Sequence, residues 1–193
     1  AMHAISRFEQ KSHSRRDCFG VWGDGNLGYI TALLLKKKFK NSKVLVFGKT
    51  AFKLENFSFA DATYNIQDIP EGVTVDHAFE CAGGSGSRDA ISQIIDLIRP
   101  EGSIALLGVS EYPVEIHTRL VLEKGLTMIG SSRSGYADFK ATVDFLTAHA
   151  DVAEYLETLV GSVAEVRTIG DLTDAFEKDL TTPWGKTILE WNI

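Results

Sequence analysis

The chain has 193 residues, of which 44% are hydrophobic and 24% charged, so it has the composition of an ordinary globular protein. Its net charge of −6 does not suggest a nucleic-acid or anionic-membrane partner, and no apolar run is long enough to span a bilayer. The opening residues lack the apolar core of a signal peptide. Cys18 and Cys81 show no metal-ligand spacing, so we expect buried free thiols, no metal site and a cytoplasmic protein.

Near the start of the chain, the spacing of apolar residues changes from that of a strand to that of a helix. Residues 1–17 predict an amphipathic helix followed by a polar link. The apolar run from Cys18 to Trp22 then has the length of a strand buried on both faces. After it, apolar residues recur three and four positions apart, which predicts a helix from Leu27 to Lys38. The lysines that end this helix suit the negative end of its dipole, and a solvated helix end is the simpler interpretation.

The turn between that strand and helix has the glycine spacing GDGNLG. Gly23 allows a tight turn, Gly25 lets the backbone approach a pyrophosphate, and Gly28 lets the helix pack closely on the strand. The helix start, at Asn26 and Leu27, would present N–H groups to the phosphates. The motif therefore predicts a dinucleotide-binding turn. A glycine-rich turn without a ligand is the alternative.

The second predicted strand, residues 43–47, ends at a position that bears on the choice of cofactor. In NAD-binding proteins an Asp or Glu about 20 residues after the glycine turn usually binds the adenosine ribose. That position is Gly48, so the acid is absent. Lys49, Thr50 and Lys53 follow instead and would suit a 2′-phosphate, which predicts NADP(H) as the cofactor. Alternatively, the two lysines are solvated loop charges.

The alternation of strands and helices continues through the middle of the chain. Further strands are predicted over residues 62–66, 73–80, 103–108 and 126–130, with helices over 54–59, 88–97 and 139–148. We therefore predict an α/β fold with a doubly wound, parallel, six-stranded Rossmann sheet. Residues 1–150 would form this domain, including the lead helix. Beyond it, residues 151–193 predict short pieces that do not continue the series.

Ligands of such sheets bind at the carboxyl ends of the strands. We therefore expect cofactor contacts from the residues that follow the fourth, fifth and sixth strands: Cys81, Ala82, Gly83, Gly84, Gly108, Val109, Ser131 and Ser132. For Gly83 and Gly84, a plain strand-to-helix turn is the alternative. Arg133 could clamp a substrate or cofactor phosphate, or it could be a structural arginine that binds loop carbonyls.

The chain resembles the medium-chain dehydrogenase/reductase superfamily, the zinc-type alcohol and polyol dehydrogenases. The segments that carry the resemblance are GDGNLG, KLENFSFADATY, VDHAFECAGG, IRPEGSIALLGV, LEKGLTMIGSSRSG and the ending WGKTILEW. The start, HAISRFEQ before FGVWGDGNLGY, is similar to ribulose-5-phosphate reductases, which make ribitol 5-phosphate for CDP-ribitol and cell-surface polymers.

The resemblance implies a longer enzyme, in which a GroES-like catalytic domain holds a zinc ion and a carbonyl is reduced by hydride transfer from NAD(P)H. Residues 151–193 would complete that absent domain. The substrate would be a small phosphorylated ketose or polyol, and the edge of the sixth strand, residues 126–129, would form a homodimer. The five histidines stand singly and no zinc-ligand motif is present, so this chain would hold no catalytic residue and be inactive alone.

Three alternatives to this function stay open. The first is another alcohol or polyol dehydrogenase, and the second is a zinc-free enzyme similar to quinone reductases. Both keep the same nucleotide-binding domain. The third is a module that senses nucleotides without catalysis, because a fold by itself does not imply a function.

Overall fold

A six-stranded parallel sheet organises the first part of the chain, in a computed structural model that describes residues 1–192. Its strands are β1 (Cys18–Trp22), β2 (Lys43–Gly48), β3 (Ala62–Asn65), β4 (Val75–Glu80), β5 (Ile98–Leu106) and β6 (Thr127–Gly130). The order across the sheet is β3-β2-β1-β4-β5-β6. The direction of winding reverses between β1 and β4, so a crevice opens at their carboxyl ends. The predicted doubly wound Rossmann sheet is confirmed.

Helices precede, connect or follow these strands. They are α1 (Met2–Lys11), α2 (Asn26–Lys38), α3 (Ala51–Leu54), α4 (Ser87–Leu97), α5 (Thr118–Glu123) and α6 (Tyr136–Ala148). The helix expected over residues 54–59 is wrong in position, since α3 ends at Leu54. Phe57 and Phe59 lie in the following turns, where their rings contact the ring of Tyr29 at centroid distances of 5.2 and 5.1 Å. Burial against α2, rather than a helical repeat, explains these apolar positions.

The two faces of the sheet are covered by different helices. Because successive side chains of a strand point to opposite faces, Phe19 and Trp22 face opposite sides. Phe8 of α1 packs edge-on against Phe19, at 5.7 Å between ring centroids, so the predicted lead helix lies on the Phe19 face. The Trp22 face carries α4, whose Ile91 and Ile94 belong to the same buried cluster as Trp22. Both faces are thus buried, as a parallel sheet requires.

The chain divides into two compact units between Thr142 and Val143, inside α6, whereas the sequence places the boundary after residue 150. The second unit contains α7 (Ala150–Glu157), β7 (Val160–Val166), α8 (Ile169–Thr181) and β8 (Lys186–Trp191). The strands β7 and β8 pair in parallel. Ile193, the last residue of the predicted C-terminal segment, lies outside the described residues.

Candidate nucleotide-binding site

The glycine turn between β1 and α2 is closed so tightly that two of its positions exclude a side chain. Gly23 has a φ of +132°, and a Cβ there would lie 2.7 to 2.9 Å from backbone atoms of Cys81 and Ala82. A Cβ on Gly28 would overlap the carbonyl oxygen of Gly23. These two glycines therefore allow α2 to begin directly against the ends of β1 and β4.

The remaining glycine of the turn, Gly25, has open space beside its backbone. Gly25 is the N-cap of α2, and a Cβ built on it would have no neighbour within 4 Å. The first N–H groups of a helix have no acceptor inside the helix and carry a partial positive charge. An accessible backbone at the start of a 13-residue helix is an arrangement that fits a pyrophosphate.

A cleft of about 270 Å³ extends from this turn across the carboxyl ends of β1, β2 and β4. Seven residues predicted to bind the cofactor line it, namely Gly23, Gly25, Gly48, Lys49, Lys53, Cys81 and Ala82. Residues that were not predicted complete the lining, namely Trp22, Asp24, Phe47, Ile66, Gly86, Ala90 and Gln93. The cleft has an apolar wall and a charged corner.

The apolar wall of the cleft is a stack of aromatic rings. The ring of Trp22 lies on the ring of Phe47 at 3.9 Å between centroids, with only 10° between their planes. The indole Nε1 donates a hydrogen bond to Oε1 of Gln93 (3.2 Å), and Nε2 of Gln93 donates to the carbonyl oxygen of Ile66 (2.9 Å). The polar groups of Trp22 and Gln93 in this wall are thus satisfied within the protein.

The charged corner of the cleft lies at the end of β2. Lys49 is exposed and Lys53 is half-buried, and both line the cleft. Oδ2 of Asp24 accepts hydrogen bonds from the backbone N–H groups of Lys49 (2.8 Å) and Thr50 (2.7 Å). The position after β2 carries no acid in the sequence, yet a carboxylate from the glycine turn occupies this corner. The motif GDGNLG contains this Asp, but nothing in the motif itself indicates a contact with the residues at the end of β2.

The loops that follow β4 and β5 are held together by one buried carboxylate, that of Glu80. Its Oε1 accepts hydrogen bonds from the N–H groups of Ala82 and Gly83 and from the hydroxyl of Ser87, at 3.0 to 3.1 Å. Its Oε2 accepts one from the N–H of Gly108 (3.1 Å). The predicted positions on these two loops are therefore adjacent in space.

Two backbone contacts bring the remaining predicted residues to the same edge of the sheet. The N–H of Gly84 donates to the carbonyl oxygen of Val109 (2.7 Å), and the N–H of Ser131 donates to that of Leu106 (3.4 Å). Ser132 and Arg133 are exposed beyond β6. These residues do not line the cleft, and their role in binding stays a prediction.

Arg133 has an unusual backbone for a residue with a side chain, since its φ is +61°. Among residues 1–192 it has no hydrogen-bond or ion-pair partner, so it does not bind loop carbonyls as the structural alternative required.

Both cysteines are unreactive thiols. Burial raises the pKa of Cys81 to about 12, and burial followed by the nearby Asp76 carboxylate raises the pKa of the half-buried Cys18 to about 11. Over the described part of the chain, no three His, Cys, Asp or Glu side chains are grouped to hold a metal ion. Within the same residues, no helix is both long and apolar enough to cross a membrane.

Three comparisons place this geometry among known proteins. Residues 36–148 match the family described as zinc-binding dehydrogenase. Ribulose-5-phosphate reductase of Bacillus spizizenii is 64% identical over 193 residues, which cover 100% of this chain and 57% of that protein. Ribulose-5-phosphate reductase 1 of Staphylococcus aureus is 62% identical over 191 residues, which cover 99% of this chain and 56% of that protein.

A solved structure agrees closely in fold. The crystal structure of Staphylococcus aureus TarJ in complex with NADPH superposes with a TM-score of 0.96 at 61% identity. The match covers 100% of this chain and 61% of that one. The chain thus spans little more than half the length of the relatives it matches.

Proposed function

The chain belongs to the zinc-binding dehydrogenase family, and from this premise we propose that it is the cofactor-binding part of a longer NADPH-dependent oxidoreductase. The family resemblance predicted from the sequence segments is confirmed by this match. The reaction that we propose is the reduction of D-ribulose 5-phosphate to D-ribitol 5-phosphate, for CDP-ribitol and cell-surface polymer synthesis. The main support is a glycine turn that fits a dinucleotide, in a chain 61% identical to a protein crystallised with NADPH.

Each part of the site has a task in this proposal. Bound NADPH supplies the hydride. The turn at Gly25 and the start of α2 bind the pyrophosphate, and the lysines of the charged corner, Lys49 and Lys53, bind the 2′-phosphate. The buried stack of Trp22 and Phe47 supports the cleft from beneath, where the adenosine half would lie. The loops joined by Glu80 support the nicotinamide half.

The remaining parts of the proposal concern groups outside the cleft. The exposed Arg133 would bind the phosphate of the sugar. Zinc ligands would come from a part of the longer protein that this chain does not include, and residues 151–193 would complete that part. Because β6 is an edge strand, its residues 127–130 would pair with a second copy in a homodimer. With unreactive free thiols and a nicotinamide cofactor, we place the protein in the cytoplasm.

Titration of the full-length protein with NADPH and with NADH tests the cofactor assignment. Trp22 lines the cleft, so its fluorescence should change on binding. We expect NADPH to bind more tightly, and the double variant Lys49→Gln, Lys53→Gln to lose roughly tenfold or more in NADPH affinity with little change for NADH. Lys40→Gln, an exposed lysine in the turn before β2, is the control for loss of a lysine outside the cleft. Equal affinity for both nucleotides, or binding of neither, would contradict the assignment.

The substrate assignment has its own test. We expect the full-length protein to oxidise NADPH when D-ribulose 5-phosphate is added, and to show much less turnover with unphosphorylated ribulose. Arg133→Ala should raise the KM for ribulose 5-phosphate roughly tenfold while the affinity for NADPH stays unchanged. Tight NADPH binding without turnover would instead favour a nucleotide-sensing module.

A further inference from the structure

Asp24 occupies the space in which the missing acid would lie. A Cβ built on Gly48 would be 2.6 Å from Cβ of Asp24 and 2.9 Å from its Oδ2. Any side chain at position 48 would therefore collide with Asp24. The absence of a side chain at Gly48, the last residue of β2, makes room for a carboxylate from the glycine turn.

Two backbone hydrogen bonds fix this carboxylate in place. Oδ2 of Asp24 accepts the N–H groups of both Lys49 and Thr50, at 2.8 and 2.7 Å. Adjacent N–H groups that converge on one point form an anion site. Here the protein's own carboxylate fills that site, so an incoming phosphate cannot use these N–H groups and depends on the lysine side chains.

The other oxygen of Asp24 is available to a ligand. Within residues 1–192, Oδ1 has no hydrogen-bond partner, and Asp24 lines the cleft beside Gly48 and Lys49. A carboxylate oxygen is an acceptor for a ribose hydroxyl and repels a phosphate. The same side chain therefore acts in opposite directions on NADH, whose adenosine ribose has a 2′-hydroxyl, and on NADPH, which has a 2′-phosphate there.

We propose that Asp24 is a specificity-determining residue that replaces the acid missing after β2 and limits the preference of the site for NADPH over NADH. This inference rests on the proposed function, because it assumes that the cleft binds the adenosine half of a nicotinamide dinucleotide. Lys49 and Lys53 attract the 2′-phosphate, Asp24 opposes it, and the balance between the two effects sets the selectivity.

The variant Asp24→Asn separates charge from structure. Its side-chain oxygen can still accept the N–H groups of Lys49 and Thr50, while the negative charge and the acceptor for a ribose hydroxyl are lost. We expect the ratio of the NADH dissociation constant to the NADPH dissociation constant to rise roughly fivefold to tenfold, measured by calorimetric titration of the full-length protein. The rise should shrink at high salt, since exposed charges are screened.

Asp96→Asn, at the far end of α4, is the control for the change in net charge and should leave the ratio unchanged. An unchanged ratio in Asp24→Asn, or equal weakening of both nucleotides, would overturn the inference, because Asp24 would then only hold the loop. If the wild-type protein bound neither nucleotide, the proposed function itself would fail. If Asp24→Asn did not fold, Asp24→Ala, which also removes the charge and leaves the two N–H groups open to a phosphate, should show at least the same rise.

Discussion

In the middle of β4, four residues before Cys81 of the cleft, His77 is fully buried in a neutral form. Its Nδ1 accepts the N–H of Ser103 (3.0 Å), so its Nε2 is the donor to the carbonyl oxygen of Arg15 (2.8 Å). Burial, followed by the neighbouring His13, lowers the pKa of His77 to about 4 from an ordinary 6.5. This side chain links β4 to β5 and to the segment that precedes β1.

His77 should make the stability of the protein depend on pH. The unfolded chain binds a proton at His77 near pH 6.5 and the folded chain only near pH 4, so the unfolded state holds more protons between these values. The free energy of unfolding should fall as the pH drops through this window, by roughly 3 kcal/mol in total. Urea unfolding of the wild type and of His77→Gln at pH about 7 and about 5 would measure this.

In this experiment the pH dependence should be weaker in His77→Gln and unchanged in the control His117→Gln, whose side chain is exposed. The same pH dependence in wild type and His77→Gln would show that other groups cause it.

At the residue scale, the sequence predicts the positions whose role is local. Gly23 and Gly28 are such positions, because the spacing of the motif itself determines the backbone of the turn. The role of Asp24 could not be predicted in this way. Its contact with Lys49 and Thr50 arises only when the end of β2 lies beside the glycine turn, and no local pattern records that pairing.

At the scale of elements, the ends of β4 and β5 depend on Glu80, which is 1% exposed. We expect Glu80→Gln to destabilise the protein by roughly 1 to 3 kcal/mol, because the amide nitrogen that replaces one oxygen cannot accept a hydrogen bond from a backbone N–H. The loops after both strands should loosen, so NADPH affinity should also fall. Chemical unfolding and nucleotide titration measure the two effects.

Ser87→Ala is the matched control for Glu80→Gln, since it removes only one hydrogen bond to the carboxylate. Its effects on stability and on NADPH affinity should be clearly smaller. Similar effects of the two substitutions would show that the carboxylate does not join the two loops.

Most strands and helices could be predicted because their apolar residues form long runs or recur with a clear strand or helix spacing. The strand Lys43–Gly48 is buried at five successive positions and shows this directly. The start of β5 was harder to predict. The strand begins at Ile98, which pairs with Val75, and the register between β4 and β5 then shifts around Pro100. The short helix Thr118–Glu123 was not predicted, and none of its residues is fully buried. A helix with few buried residues has no regular spacing of apolar residues, so the sequence pattern does not reveal it.

At the scale of the molecule, the second unit exposes several large apolar side chains. Val163 is 58% exposed and Trp191 is 55% exposed, and Ile169, Phe176 and Leu180 are exposed more fully. The first unit contains the large buried core around the sheet. Two units with such different burial are expected to differ in stability, because apolar burial is the main stabilising term.

We therefore expect two thermal transitions in this chain. Trp22 reports on the first unit, whereas Trp184 and Trp191 report on the second. Fluorescence melting of Trp22→Phe, and of the double variant Trp184→Phe, Trp191→Phe, would follow each unit separately. NADPH at about 100 times its dissociation constant should stabilise only the first unit, by about 2.7 kcal/mol. A single transition seen by both variants, raised equally by NADPH, would contradict this prediction.

The order of strands in the sheet also has a consequence for biosynthesis. The strand β1 pairs with β2 on one side and with β4 on the other, and β4 begins at Val75. A ribosome adding about 5 to 20 residues per second needs several seconds to make the intervening chain. During that time the nascent protein holds β1 with one edge unpaired, and this edge offers backbone N–H and C=O groups to other chains. Among the strands of this sheet, β1 thus waits longest for its second neighbour to be made.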